Sequence, residues 1–213
     1  MPTNCPSHIS DFLLSHVKIT HVALYLVEGP VNLVRLMAVP DMVDRPELKF
    51  PPYTASTPTY LSNGRSVIQA AAKQDILLHH PYQSFEPIVQ FIREAAHDPD
   101  VVAIKMTIYR TGSNSELVRE LMAAALAGKQ ITVVVELMAR FDEANNANWA
   151  QYLEDAGAHV VYGVYGYKVH AKMALVVRRE QGNLKRYAHL GTGNYHQGNS
   201  RIYTDFGLIT ADE

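Results

Sequence analysis

Two residues two apart, His170 and Lys172 in the string Lys168-Val-His-Ala-Lys172, carry the chemistry most easily read from this sequence. A neutral imidazole attacks phosphorus, and the phosphohistidine it forms passes its phosphoryl group on. A lysine beside it would spread the charge of an in-line transition state. Arg110 and Arg140 each follow an apolar run, VVAIKMTIY and ITVVVELM. A guanidinium is a planar five-donor cation suited to phosphate, so two at corresponding places suggest a clamp. Gly191-Thr192-Gly193-Asn194 adds a third piece, because small residues let backbone N–H groups approach an anion and an Asn amide can donate to the same oxygens. Each piece has a plain reading: a half-buried strand histidine, solvated arginines (Arg140 pairing with Asp142 or Glu143), an ordinary glycine turn. Their order along the chain is more specific than any one of them. Tyr203, close to Asp205, could stack on a base or belong to the core, and nothing local decides between the two.

The elements that would hold these residues follow from periodicity. Phe85, Ile88, Val89, Ile92 and Ala96 lie on one face of a helix ending near His97. Strands are predicted over Val101–Tyr109, Ile131–Met138 and His159–Val164, separated by helices at Ser113–Ala127 and around Trp149–Ala156. That β-α-β-α-β order means a parallel sheet, with Arg110 and Arg140 at its carboxyl edge, where open sheets bind ligands. Only a short GVYGY segment follows, too short for a crossover, so the next strand, from Lys168, should run antiparallel. On that strand His170 and Lys172 would share a face. A hairpin turn at Glu180–Asn183 into Arg186–Leu190 and a last strand at Ile202–Ile209 complete a mixed α/β sheet. Before it, His21–Val27 reads as a strand, Val31–Ala38 as a helix and Val39–Pro58 as a proline-rich linker. His79-His80 is a weak metal pair, since adjacent side chains point apart, and Asn145, Asn146 and Asn148 read as helix caps.

With 213 residues, 47% hydrophobic and 19% charged, the chain is large enough for one core and too apolar for disorder. Its single cysteine, Cys5, cannot form an internal disulfide, which favours a reducing compartment. No apolar run is long enough to span a bilayer. The net charge of −2 argues against a nucleic-acid coat, yet Tyr165–Arg201 holds seven Lys or Arg against one acid, Glu180. No aromatic single-strand platform accompanies that basic stretch, so nucleic acid is not the expected partner.

The strings HHPYQSFEPIVQFIREAAHDPDVVAIKMTIYR, VVVELMARFDEANNANWA, GYKVHAKMALVVRRE, YAHLGTGNYH and RIYTDFGLITADE resemble, in order, the long, histidine-phosphorylated bacterial polyphosphate kinases. The resemblance implies a fold related to the phospholipase D superfamily, in which two similar halves each supply His-x-Lys to one active site. It makes residues 1–52 the C-terminal end of the family's middle domain plus a linker, and 53–213 the first catalytic C-terminal domain. The implied reaction is reversible transfer of the γ-phosphate of ATP to the end of inorganic polyphosphate, through a phosphohistidine at His170, releasing ADP. The family's magnesium site would fall on Arg110 and Arg140, read here as holding the phosphates that carry the ion, since guanidinium is a poor metal ligand. Tyr203 matches the ATP-contacting position. The implied cofactors are thus Mg2+ and ATP/ADP. The implied partners are polyphosphate, the missing second catalytic half and, for the full-length protein, other copies of itself. The implied location is cytoplasmic, with peripheral membrane association compatible with the family. With half a site, this piece alone is expected to show little or no kinase activity. Rival expectations are a phospholipase D-like phosphodiesterase half and a non-catalytic anion-binding module.

Overall fold

The computed structural model describes residues 1–62, 64–112, 115–136, 139 and 143–212. Two compact units are present, Met1–Tyr53 and Thr54–Glu213. The first contains α1 (Ser7–Val17) and the one-turn α2 (Val39–Met42). The strand expected at His21–Val27 is instead a 3-10 turn at His21–Ala23 followed by a single bridge from Val27 to Pro2. An apolar run makes a strand only where a partner edge is offered, and only Leu14 among this unit's apolar side chains is buried. The helix expected over Val31–Ala38 is a 3-10 helix at Leu33–Ala38, which runs directly into α2.

The second unit is built on one seven-stranded sheet. After α3 (Val67–Ala71) comes β1 (Ile76–His80), then α4 (Glu86–His97) and β2 (Val101–Ile108). The chain continues with α5 (Glu116–Leu126), β3 (Gln130–Val135), α6 (Glu143–Asp155) and β4 (His159–Tyr162). It ends in β5 (Lys172–Glu180), β6 (Asn183–Gly191) and β7 (Asp205–Thr210). The spatial order is β1-β7-β6-β5-β2-β3-β4. Strands β2, β3 and β4 are parallel, as the repeating β-α rhythm requires, and the other pairings are antiparallel.

Helix α4 forms because Ile88, Val89, Phe91, Ile92, Ala95 and Ala96 recur at helical spacing, with Pro87 in the first turn where no N–H is missed. In α5, Ser115 caps the N-terminus by accepting the N–H of Val118, and Leu117, Val118, Leu121 and Ala124 turn inward. Between β5 and β6 the turn residues Gln181 and Gly182 both have positive φ, the mirror-image turn that matches strand twist.

Three departures from the expected sheet bear on the site. β1 was not expected. It is a five-residue edge strand whose partner, β7, lies far along the chain, and its Ile76 and Leu78 are fully buried. β5 pairs with β2 rather than lying beside β4, so residues 163–171 must pass three strand spacings, roughly 14 Å. Nine residues at up to about 3.3 Å each cover that distance. Finally, β5 begins at Lys172 and not at Lys168, which leaves His170 on the irregular segment just before it. The sheet edge that carries the carboxyl ends of β2 and β3 therefore also carries the start of β5, the end of β6 and the start of β7.

Candidate phosphoryl-transfer site

A cavity of about 250 Å³ opens on that edge. It brings together Arg110 from the end of β2, His170 and Lys172 from the start of β5, and Gly191, Thr192, Gly193 and Asn194 from the end of β6. Tyr203 and Asp205, before and at the start of β7, complete the rim. Arg140 lies outside the described residues, as do Leu137, Met138 and Asp142.

The backbone before His170 is fixed from the neighbouring strand ends. Glu136, buried just past β3, accepts the N–H of Val169 on Oε2 at 2.8 Å. That bond replaces a strand pairing and is the local reason His170 stands off the sheet. Thr107 on β2 donates its hydroxyl to the Ala171 carbonyl at 2.6 Å. Asn146 is fully buried, and its amide donates to the carbonyls of Tyr109 and Glu136, both at 2.8 Å. Read from sequence as a helix cap, Asn146 is in fact a cross-tie between the carboxyl ends of β2 and β3.

His170 is exposed and Lys172 is 6% exposed, on the face of β5 that also buries Ala174 and Val176. The Lys172 ammonium lies 3.1 Å from Nδ1 and 3.2 Å from Nε2 of His170. Partial desolvation, then repulsion from Lys172, Lys168 and Arg110, holds the His170 imidazole below its ordinary basicity. It is therefore mostly neutral at pH 7, the state a nucleophile needs. Lys172 is itself pushed down by burial, Asp205 acting against that shift and Arg110 and Lys168 with it. The aspartate that favours the charged form of the buried lysine thus comes from another strand. Asp205 is braced by Thr192, whose hydroxyl donates to Asp205 Oδ1 at 2.7 Å and accepts the N–H of Phe206 at 2.9 Å.

The glycine turn works differently from the sequence reading. The Thr192 N–H donates to the Phe206 carbonyl and so is committed to the sheet rather than offered to an anion. Gly193 has no positive φ; it is small because a Cβ there would stand 2.6 Å from Asp205 Oδ2. Among the described residues the buried Nε of Arg110, a donor in the cavity wall, has no hydrogen-bond partner. An anion in the cavity would supply one.

Two histidines that line the cavity were given no part in this site by the sequence, His80 being read only within a weak metal pair. His189 on β6 is 2% exposed, with Nδ1 2.7 Å from the Tyr195 hydroxyl. Burial, with a contribution from His80, lowers its pKa to about 3. His80 on β1 is buried too, bonds the Gln83 carbonyl through Nδ1 at 2.8 Å, and is lowered by desolvation. Its neighbour His79 points to the other face and stacks on Phe206, so the adjacent pair does diverge as expected. Both Nε2 atoms face Gly207 on β7, where a Cβ would lie 3.0 Å from that of His189 and 3.5 Å from that of His80. For His189 the signal in the sequence is a histidine two residues before a glycine on a strand, and for His80 it is the adjacent pair His79-His80.

Of the basic stretch Tyr165–Arg201, Arg178 is neutralised by Asp98, Asp100 and Glu180 at 2.8, 3.2 and 3.1 Å. Among the described residues the cations that act on His170 are Lys172, Lys168 and Arg110.

Residues 66–213 match the family described as polyphosphate kinase C-terminal domain 1. A polyphosphate kinase from Neisseria meningitidis serogroup C is 72% identical over 209 residues, which are 98% of this chain and 30% of that protein. The chain therefore spans about three-tenths of the length of this curated relative. The crystal structure of polyphosphate kinase from Porphyromonas gingivalis superposes with a TM-score of 0.75 at 31% identity, over 98% of this chain and 32% of that one. A phospholipase D family member, Nuc from Salmonella typhimurium, shares the fold at a TM-score of 0.50 and 14% identity, over 65% of this chain and 83% of its own.

Proposed function

Because the chain belongs to the polyphosphate kinase family, we propose that the cavity around His170 is a phosphoryl-transfer site for ATP and inorganic polyphosphate. The observation that carries this reading is that one cavity gathers the His170–Lys172 pair and the buried Nε of Arg110, which has no hydrogen-bond partner among the described residues. An imidazole nitrogen of His170 attacks the γ-phosphorus, the bond from that phosphorus to the bridging oxygen breaks, and ADP leaves with the electron pair. A terminal phosphate oxygen of polyphosphate then attacks the same phosphorus, and the N–P bond breaks to restore neutral His170. Both steps are reversible. Lys172 and Arg110 stabilise the equatorial oxygens while the charge is spread.

Magnesium would travel on the phosphates. Among the described residues no three His, Cys, Asp or Glu side chains converge to hold an ion, and a guanidinium donates rather than coordinates. Arg110 is thus a phosphate holder, and by the likeness of its sequence position so is Arg140. Tyr203 would meet the nucleotide, and its 61% exposure at the rim is compatible with that role. Residues 1–52 are assigned to the end of the middle domain and 53–213 to the first catalytic domain of a longer, self-associating kinase. Among the described residues no helix is long and apolar enough to cross a membrane.

The test uses γ-labelled ATP with magnesium on a full-length kinase carrying this sequence and on the 213-residue chain alone. Acid-labile label on His170 is expected in the full-length protein, lost in His170→Ala, with little in the isolated chain. Label on another residue, or full polyphosphate synthesis by His170→Ala, would overturn the mechanism. Robust labelling of the isolated chain would overturn the assignment of this piece as half a site.

A further inference from the structure

Tyr109 is the last residue before Arg110 and is 7% exposed at the end of β2. Three cations surround its ring. The Arg110 guanidinium carbon is 5.2 Å from the ring centroid, Lys168 Nζ is 5.3 Å away and Lys172 Nζ 5.2 Å. The His170 imidazole meets the same ring edge-on, with centroids 5.0 Å apart and planes at 68°. Every cation that depresses His170 is therefore also a cation held by Tyr109.

We propose that Tyr109 is the positioning residue of the site: its ring gathers Arg110, Lys168 and Lys172 and sets the orientation of the His170 imidazole among them. Three like charges in one place repel one another, and two of them sit on long flexible stems. The negative face of an aromatic ring attracts all three without neutralising any. A carboxylate in its place would pair with them and compete with phosphate; an aliphatic side chain would let them drift apart into water. The ring keeps their full charge available to the substrate. Its backbone is tied down by Asn146, whose amide donates to the Tyr109 carbonyl at 2.8 Å.

The inference rests on His170 as the reacting group, but its test asks nothing of catalysis. Among the described residues the groups facing His170 are Tyr109 and Arg110 from the end of β2 and Lys168 and Lys172 from its own segment, while Asp205 from β7 acts on Lys172. The chain, labelled with 15N-histidine, is titrated by NMR as wild type, Tyr109→Phe, Tyr109→Leu and Lys168→Gln. In Tyr109→Phe the His170 midpoint should stay at the wild-type value, because the ring face is kept. In Tyr109→Leu it should rise by about half a pH unit or more toward the ordinary imidazole value as the cations disperse. Lys168 is exposed, so Lys168→Gln tests the same field without disturbing the fold, and it should raise the midpoint as well. An unchanged midpoint in Tyr109→Leu or in Lys168→Gln, or a Phe variant that behaves like Leu, overturns the proposal. If the titrations come out as expected while His170 never takes label in the full-length kinase, the functional reading fails and the positioning role stands.

Discussion

Lowering the pH should destabilise the sheet unit through His189, and the size of the effect can be worked from its burial. An ordinary imidazole titrates near 6.5, whereas in the folded chain His189 takes up a proton only near pH 3, chiefly because burial disfavours the charged ring. The folded-state pKa is the lower one, so between these values the unfolded chain binds more protons. The stabilisation is complete above about pH 7 and is lost as the pH falls from 6.5 toward 3. Taking those two pKa values, the loss is about 2 kcal/mol at pH 5 and about 3 kcal/mol at pH 4, with a limit near 5 kcal/mol. For a urea slope in the usual range, 2 kcal/mol moves the midpoint by about 1 M. The assay is urea unfolding of the chain at pH 7.5, 6, 5 and 4, followed by near-ultraviolet dichroism, for wild type and His189→Gln. His80 is also depressed and contributes to the wild-type slope, so the quantity to read is the difference between the two proteins. The variant should start less stable at pH 7.5 but lose about 2 kcal/mol less on the way to pH 5. Parallel losses in the two proteins would refute the idea that a neutral, buried His189 is an acid-sensitive element of this sheet.

Two further outcomes follow from contacts at the sheet edge. Asn146→Ala leaves the buried ends of β2 and β3 without two amide donations, and unfolding in denaturant should show a loss of about 2–3 kcal/mol. A loss under about 0.5 kcal/mol would mean the cross-tie is dispensable. Gly193→Ala puts a methyl group within 2.9 Å of three Asp205 side-chain atoms, so it should displace that carboxylate and break its bond with Thr192. The expected cost is about 1–3 kcal/mol, with a shift of the Asp205 side-chain NMR resonance; an unmoved resonance would show that the loop absorbs the methyl elsewhere.

What was legible in the sequence is what is local. The runs VVAIKMTIY and ITVVVELM and the helical spacing of Ile88, Val89 and Ile92 are sustained patterns, and β2, α4 and β3 follow from them. The hairpin was legible because Gln-Gly at its turn is a local device. Partner choice was not: that β1 joins β7, and that β5 goes to β2, depends on pairing between distant segments. His21–Val27 shows the converse, an apolar run without an edge to join. At the site, residue types made His170, Lys172 and Arg110 visible, but their supports were hidden. Tyr109 looks like any strand aromatic, Glu136 like any strand-end acid, and Asn146 like a cap, until the fold places them against the backbone of other elements. His170 was assigned to a strand because alternation continues through Lys168–Val177; the Glu136 bond to Val169 breaks the pairing there.

Strand β7 is inserted between β6 and β1, so it joins segments that begin at residues 76 and 183. Pairings across so many residues form late, since loop closure must be met before the contacts reward it. A growing chain that has made Lys172 and His170 but not yet Asp205 already carries the cations, without the carboxylate that favours the charged lysine. It also lacks Gly207, against which the two imidazoles of His80 and His189 are packed. The order of assembly is thus charge first and cavity last, and a nascent chain cannot offer a shaped phosphate site before its final strand is in place.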